Sequence, residues 1–204
     1  TIYSGMVPGV ISGEYKLEDA QINLRELADR AGVAFLVAEI TGLLVDEKIL
    51  HLKDRPPINF TTISLDVGSE TKLENKNQLK SIQNSIVPIK PFDRAIEWIK
   101  SQDDEANLFG TQPFSVVGSG LAGLEIVLAL RKRWPNRALE LQVYSGKISK
   151  KIKNSLLGEK INLRIDTKSI QAPALLCTGN KSPDWLIESQ LPTDASGRVI
   201  TTPT

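Results

Sequence analysis

The stretch PFSVVGSGLAGLEIVLALRKRW, residues 113–134, decides how this chain is read. Phe114 to Val117 is a short, mostly apolar run that ends in two β-branched valines, as a buried strand does. Gly118, Gly120 and Gly123 come next in the spacing G-x-G-x-x-G, and an apolar run with helical spacing follows directly. In that helix Leu124, Val127, Leu128 and Leu130 are expected to face a sheet. Arg131, Lys132 and Arg133 fall in its last turn, where cations suit the carbonyl end. In such a motif the first glycine permits the tight strand-to-helix turn and the second lets a pyrophosphate approach the backbone. The third lets helix and strand pack closely, and the free N–H groups of the first helical turn then face the phosphates. Because the strand precedes the glycines and the helix follows them, the pattern predicts a dinucleotide-binding turn.

An NAD site also wants an acid about 20 residues further on, at the end of the second strand, to hold the ribose hydroxyls. The second strand, Leu139 to Tyr144, runs instead into Ser145, Gly146 and Lys147, with no carboxylate. Two readings stay open: a 2′-phosphate taken by Ser145 and Lys147, or a pyridine-nucleotide site that has decayed. Lys147, Lys150 and Lys151 also read simply as the solvated start of the next helix.

Composition narrows the classes. The chain has 204 residues, 41% of them hydrophobic and 24% charged, which suits one or two globular domains. A net charge of +1 gives no electrostatic case for nucleic acid or an anionic membrane surface. The single cysteine, Cys177, excludes an internal disulfide framework and a C-x-x-C pair, and His51 is the single histidine, which argues against a histidine metal site or triad. No apolar run has the length of a membrane-crossing helix and no signal peptide is recognised, so a cytoplasmic setting is expected. The chain opens at Thr1 without a methionine, which reads as a piece of something longer.

Working outward from the glycine turn, Thr1 to Gly13 carries glycines and a proline and reads as a loop. Asp19 to Gly32 reads as an amphipathic helix with Gly32 as its stop. Val33 to Glu39, Gly42 to Val45 and Lys48 to Leu52 suggest a small antiparallel meander, with a turn at Asp46-Glu47 and His51 on its surface. Ile58 to Leu65 is expected as a further strand, and Glu70 to Ser85 as an exposed connection with a short helical stretch near Gln78 to Ile82. Val87 to Pro91 is expected to be extended, Phe92 to Lys100 helical, and Ser101 to Gln112 an acidic connection. After the second strand, Ser149 to Leu157 reads as a basic amphipathic helix, Ile161 to Ile165 as a strand, and Ala172 to Cys177 as a buried strand. Trp185 and Leu186 anchor the segment from Pro183 to Leu191.

Two stretches share a phrase: TTISLDVGS at 61–69 and PALLCTGN at 173–180. Each reads as an apolar strand closed by a small residue and a glycine, an ending that can bring bare backbone close to a cofactor. The second lies downstream of the Gly118 turn and the first has no such turn upstream, which leaves two readings: a first nucleotide-binding unit lacking its opening strand, glycine turn and helix, or two buried strands that simply leave a sheet at a glycine.

Taken together, these pieces resemble the pyridine nucleotide-disulfide oxidoreductase superfamily of flavoproteins. More closely, the chain resembles its type II NADH dehydrogenase-like branch and the flavoprotein domain fused to selenide, water dikinase (selenophosphate synthase). The resemblance is carried by YSGMVPGVISGEY at 3–15, INLRELADRAGVAFLVAEITGL at 22–43, TTISLDVGS at 61–69, IVPIKPF at 86–92, VVGSGLAGLEIVLALRKR at 116–133 and LLCTGNKSPDWLIESQLPTDASGRV at 175–199. It implies an α/β fold of FAD/NAD(P)-binding Rossmann-like domains, with a parallel sheet, flanking helices and a small antiparallel β-meander. It further implies a partial FAD-binding domain at 1–110, an inserted NAD(P)-binding domain at 111–180, and a return toward the FAD-binding domain at 181–204. The implied cofactors are FAD and NAD(P)H, with hydride moving from nicotinamide to flavin and on to an unknown acceptor. Gly118, Ser119, Gly120 and Gly123 would hold the pyridine-nucleotide pyrophosphate, and Glu125 stands where relatives place an acid near the nicotinamide–flavin contact. An ordinary first-turn carboxylate favouring the helix dipole is the equal alternative for Glu125. Asp66, Gly68 and Ser69 match the strand end that lies along FAD, Thr178 and Gly179 the corresponding end in the inserted domain, and Tyr3 to Gly9 the flavin side.

The chain departs from the pattern in its missing leading glycine turn, its missing late Gly-Asp motif and the tight link between Ile165 and Ala172 where relatives carry a β-meander. Those departures keep a second expectation in view, a non-catalytic nucleotide-binding or regulatory module, as part of a selenophosphate synthase fusion or as a homodimer. A methyl-donor enzyme with the same kind of glycine turn is the remoter class, and the missing second-strand acid counts against it too. No catalytic side chain is identified, which accords with the scarcity of His and Cys.

Overall fold

The structure, a computed structural model, describes residues 1–71, 85–106, 112–144, 148–165, 169–195 and 197–201. The expected helical stretch at Gln78 to Ile82 and the candidate phosphate acceptors Ser145 and Lys147 lie outside the described residues. The chain gathers into two compact units, residues 1–22 with 71–179, and residues 23–70 with 180–204.

The first unit is built on a five-stranded parallel sheet. Its strands are β5 (Ile86–Pro88), β6 (Phe114–Val117), β7 (Leu139–Val143), β8 (Ile161–Ile165) and β9 (Ala174–Leu176), in the order β5-β9-β6-β7-β8. Successive side chains alternate between the sheet's faces. Phe114, Val116, Leu139, Leu141, Val143 and Leu175 share one face and one core. Onto that core pack α1 (Val7–Ser12), α3 (Phe92–Ser101), α5 (Leu121–Arg133) and α6 (Lys150–Gly158), through Val10, Ile96, Val127 and Leu156 among others. Phe114 is its aromatic centre, with ring centroids 5.3 Å from Trp98 and 5.0 Å from Trp134. The other face carries Ile86, Val117, Ala174 and Leu176 together with buried Ser115, Glu140 and Gln142.

Several local expectations are corrected. The segment Thr1 to Gly13 is no loop: a 3₁₀ turn at Ser4–Met6 leads into α1, with a proline in its first turn and Gly13 left-handed at its end. Pro suits the first helical positions and Gly the stop, so residues that resemble loop composition here cap a short helix. Leu128, expected to face the sheet, is 39% exposed, whereas Ile126 and Ala129 are buried. The cause is a second buried side of α5, which packs against α1 as well as the sheet.

The clamp at the end of α5 is stronger than a dipole argument requires. Arg131 donates from Nε to Glu159 O, from Nη1 to the carbonyls of Trp134, Pro135 and Arg137, and from Nη2 to Lys160 O, all at 2.9–3.0 Å. It thereby ties the end of α5, the connection into β7 and the turn before β8. Arg133 donates to Ile11 O and to Asp103, which also accepts from Trp134 Nε1 at 2.8 Å. Burial pushes the Asp103 carboxyl up, but the hydrogen bonds from Arg133 and Trp134 and the nearby cations outweigh it and leave it below the usual value. Asp103 opens α4 (Asp103–Ala106), a helical turn within the stretch expected as a connection.

The second unit holds α2 (Leu24–Ala31), the antiparallel strands β1 (Ile40–Leu44), β2 (Ile49–Leu52) and β3 (Arg55–Asn59), and α7 (Asp184–Glu188). The segments β4 (Glu70–Thr71) and β10 (Asn180–Lys181) pair as a two-stranded ladder. The helix expected from Asp19 begins only at Leu24, because Asn23 caps it by accepting the Glu26 N–H and the chain before it is extended at Gln21. Gly32 ends it in the left-handed region, as expected. The meander exists but is shifted: Val33 to Glu39 forms no strand, and its third member is β3. The strand expected over Ile58 to Leu65 stops at Asn59, since pairing with β2 ends there and the residues from Phe60 to Ser69 have no regular structure. This unit buries little: Ala28, Leu43, Pro183 and Leu186 are its buried apolar side chains among the described residues, while Leu27, Val33, Leu36 and Val37 stay exposed.

Candidate functional site

The site grows from two neighbouring strand ends. β6 runs into Gly118 and then α5, and β9 runs into Cys177, Thr178 and Gly179 before the chain leaves for the second unit. In open parallel sheets, ligands bind beyond the carboxyl ends of strands where outgoing connections part. The Gly118 N–H donates to Gln142 O at 2.9 Å and the Cys177 N–H to Val117 O at 2.8 Å, so both ends continue the ladder.

Two of the three glycines are demanded by close contact and the third is not. Gly118 has φ +139°, and a Cβ there would lie 2.4 Å from the Cys177 carbonyl oxygen. A Cβ on Gly123 would lie 2.3 Å from Gly118 O, so helix and turn meet there with no room for a side chain. Gly120 is different. Its backbone is ordinary extended chain, φ −74° and ψ 173°, and a Cβ would meet nothing within 4 Å. The fold does not require a glycine at 120; a ligand laid against the backbone would.

The surroundings of Gly120 suit an anion. Gly120 is the N-cap of α5 and supplies no side-chain cap, and the first turn carries no acid, so the leading N–H groups are open to negative charge. Ser119 and Leu121 are exposed beside it, Leu121 with 78% of its surface. Glu125 is exposed in the second turn rather than the first, which removes the helix-dipole explanation offered for it. No acid stands at the end of β7 among the described residues, where Tyr144 is half-buried.

Cys177 is half-buried against the core, and the desolvation there pushes its thiol from 9.0 up to about 12. A thiol so held is a poor nucleophile at neutral pH, because the thiolate is the reactive form. Its folded value lies above its unfolded one, so the stability it lends is whole below pH 9 and drains away as the pH climbs toward 12. Cys177→Ala should therefore flatten the alkaline arm of a denaturation-midpoint profile, and iodoacetamide at neutral pH should label the parent only after unfolding. Rapid labelling of the native protein would contradict this.

Asp66, Gly68 and Ser69 lie in the second unit, apart in sequence and unit from the glycine turn. They do not end a strand; Gly68 sits at φ +64° in irregular chain. Asp66 lines a depression of about 510 Å³ with Glu39, Ile40, Val67, Glu70, Asp184 and Trp185. Sequence reasoning missed Glu39 and Trp185 as lining residues. Lys181 bridges Glu70 at 3.2 Å and Asp184 at 2.8 Å, and Lys53 pairs with Glu39 at 3.1 Å. Even so, carboxylates outnumber cations around the depression, which suits hydroxyl donors such as those of a ribose and repels a diphosphate. Among the described residues, no group of His, Cys, Asp and Glu could hold a metal ion, and no helix is long and apolar enough to cross a membrane.

No family model matches the chain, and no curated protein does. Solved structures do match. An engineered water-forming NADPH oxidase bound to NADPH superposes with a TM-score of 0.79 at 14% identity, over 98% of this chain and 50% of that one. The reduced CoADR-RHD of Bacillus anthracis gives 0.78 at 14% identity over 97% of this chain and 40% of that one. The NADH:rubredoxin oxidoreductase of Clostridium acetobutylicum gives 0.72 at 13% identity over 95% and 53%. The chain thus has the α/β fold of FAD/NAD(P)-binding Rossmann-like proteins, and spans 40% to 53% of these three structures. The link to selenide, water dikinase finds no support among them.

Proposed function

We propose that this chain is the nucleotide-binding part of a flavoprotein oxidoreductase that takes hydride from NAD(P)H to FAD and on to an acceptor. The observation that carries the reading is Gly120, a glycine that neither backbone angle nor steric space demands, set at an uncapped helix N-terminus. In that reading the backbone of Gly118, Ser119 and Gly120 and the first turn of α5 hold the pyrophosphate of the pyridine nucleotide. Gly123 keeps α5 close enough for its N–H groups to reach, and Thr178 and Gly179 border the same crevice from β9. The NADPH- and NADH-named structures of the same fold support this class.

FAD is assigned to the second unit in part only. Asp66 and its neighbours offer acceptors for ribose hydroxyls, and the acidic lining does not suit the phosphates, so no seat for them is assigned there. The division into an FAD-binding part at 1–110 and 181–204 and an NAD(P)-binding part at 111–180 belongs to this proposal. When both groups are bound, nicotinamide and flavin supply the redox chemistry, and the chain's residues bind, orient and exclude water. The alternative, a module that binds nucleotide without turning it over, is favoured by the missing carboxylate after β7.

Gly120→Val provides the test. Its Cβ has free space, so circular dichroism and the melting temperature should match the parent. Titration with NADH and with NADPH should show binding weakened tenfold or more, about 1.4 kcal/mol or above. Parent-like affinity would remove the pyrophosphate from this turn. The absorbance spectrum of the same preparations separates the two readings: a flavin band bleached by either donor means turnover, and binding without bleaching means a module.

A further inference from the structure

We infer that Gln142 is a positioning residue for the glycine turn, holding the ends of β6 and β9 in the one alignment that leaves the turn open to a ligand. The functional meaning of this rests on the dinucleotide reading above. Gln142 has 0% of its surface exposed, on the sheet face away from the helices, where a buried parallel strand ordinarily carries apolar residues. A polar side chain persists there only if its hydrogen bonds are met. Three side-chain bonds meet them, and the main-chain carbonyl adds a fourth contact. Gln142 Nε2 donates to Ser115 Oγ on β6 at 3.0 Å and to Glu140 Oε2 on β7 at 3.4 Å. Its Oε1 accepts from the Gln171 N–H at 3.4 Å, on the link that leads into β9. Its own carbonyl accepts the Gly118 N–H at 2.9 Å. Glu140 extends the row toward β8, with Arg164 Nη1 at 3.7 Å.

One residue therefore grips β6, β7, the entry to β9 and the turn itself. Alignment is critical at this place because Gly118 and Cys177 approach so closely that no side chain fits between them. Apolar packing alone lets neighbouring strands slide by small amounts, whereas a row of directional bonds fixes their offset. Glu140 and Gln142 alternate with Leu139, Leu141 and Val143, so one strand faces the apolar core on one side and carries the alignment row on the other.

The test separates alignment from general stability. Gln142→Leu paired with Ser115→Ala removes both members of the best bond and leaves no unmet hydroxyl, while Glu140 Oε2 and the Gln171 N–H each lose a 3.4 Å partner, so the melting temperature should fall only modestly. Amide hydrogen exchange at Gly118 and Cys177 should nevertheless quicken at least tenfold, while Lys153 in α6 exchanges as in the parent. A purely structural role would move all three together or none, and either result overturns the proposal. Should the double variant fail to fold, Gln142→Met, close in size and adaptable, carries the same expectation for the same amides. Affinity for NADH or NADPH should fall tenfold in the variant. If the parent binds neither nucleotide, the dinucleotide reading is what fails, and the exchange rates still decide the role of Gln142.

Discussion

Gly118→Ala is expected to lower stability by about 4 kcal/mol, enough to leave a marginal domain substantially unfolded. Two penalties add. A φ of +139° is a conformation that residues with a Cβ rarely adopt, and the new methyl would stand 2.4 Å from Cys177 O and 2.8 Å from its carbonyl carbon. Neither neighbour is the flexible end of a side chain; both are backbone of β9's outgoing segment, itself bonded to Val117 O. Relief must come from moving β9 against β6 or unwinding the turn. Urea denaturation followed by near-ultraviolet circular dichroism would register the loss, since Trp98 and Trp134 pack on Phe114 of the same strand. A midpoint within experimental error of the parent's would falsify the tight approach described here. The contrast with Gly120→Val is the informative part: two residues apart in one motif, one substitution should remove the fold and the other only the ligand.

Arg131→Met should destabilise the first unit by about 2–4 kcal/mol, and Arg131→Lys should recover little of it. Five carbonyl oxygens from two connections converge on this guanidinium. Removing it leaves helix-end and turn carbonyls to find water separately. Lysine preserves the charge and any helix-dipole benefit, but its point-like ammonium cannot span Glu159 O and Lys160 O on one side and Trp134, Pro135 and Arg137 on the other. Thermal melts of the two variants distinguish the explanations. Full rescue by lysine would mean that charge at the end of α5 was the whole contribution, and the clamp geometry would then be incidental.

Much of the first unit is legible in the sequence because β5, β6 and β9 are short, mostly apolar runs between clear turns, and β7 and β8 alternate apolar with polar residues. Ser149 also announces α6, and its hydroxyl does accept the Ile152 N–H. Where pairing partners decide, sequence says less. Arg55-Pro56-Pro57 carries no strand signal, yet it forms an edge strand because β2 offers it a partner and an edge tolerates proline. Phe60 to Leu65 has the right composition for a strand and remains irregular. At the site, spacing alone picked out the glycines, but not that two answer to steric contact and one to open space. Arg131 was legible only as a cation near a helix end; the carbonyls it gathers come from as far as 29 residues along the chain, beyond any local pattern. Gln142 gave no signal beyond being polar in a strand.

The position of β9 has a consequence for how the molecule comes into being. It is the last of the five strands in sequence and the second in the sheet, wedged between β5 and β6. While the chain is being synthesised, β6, β7 and β8 can assemble by local steps, but β5 and β6 each present an open edge until residue 176 has emerged. Open edges are what neighbouring nascent chains pair with. The close fit of Cys177 over Gly118 thus also marks the moment of closure: one late, bare-backbone insertion completes the sheet and, in the same movement, sets the Cys177 carbonyl against the glycine turn.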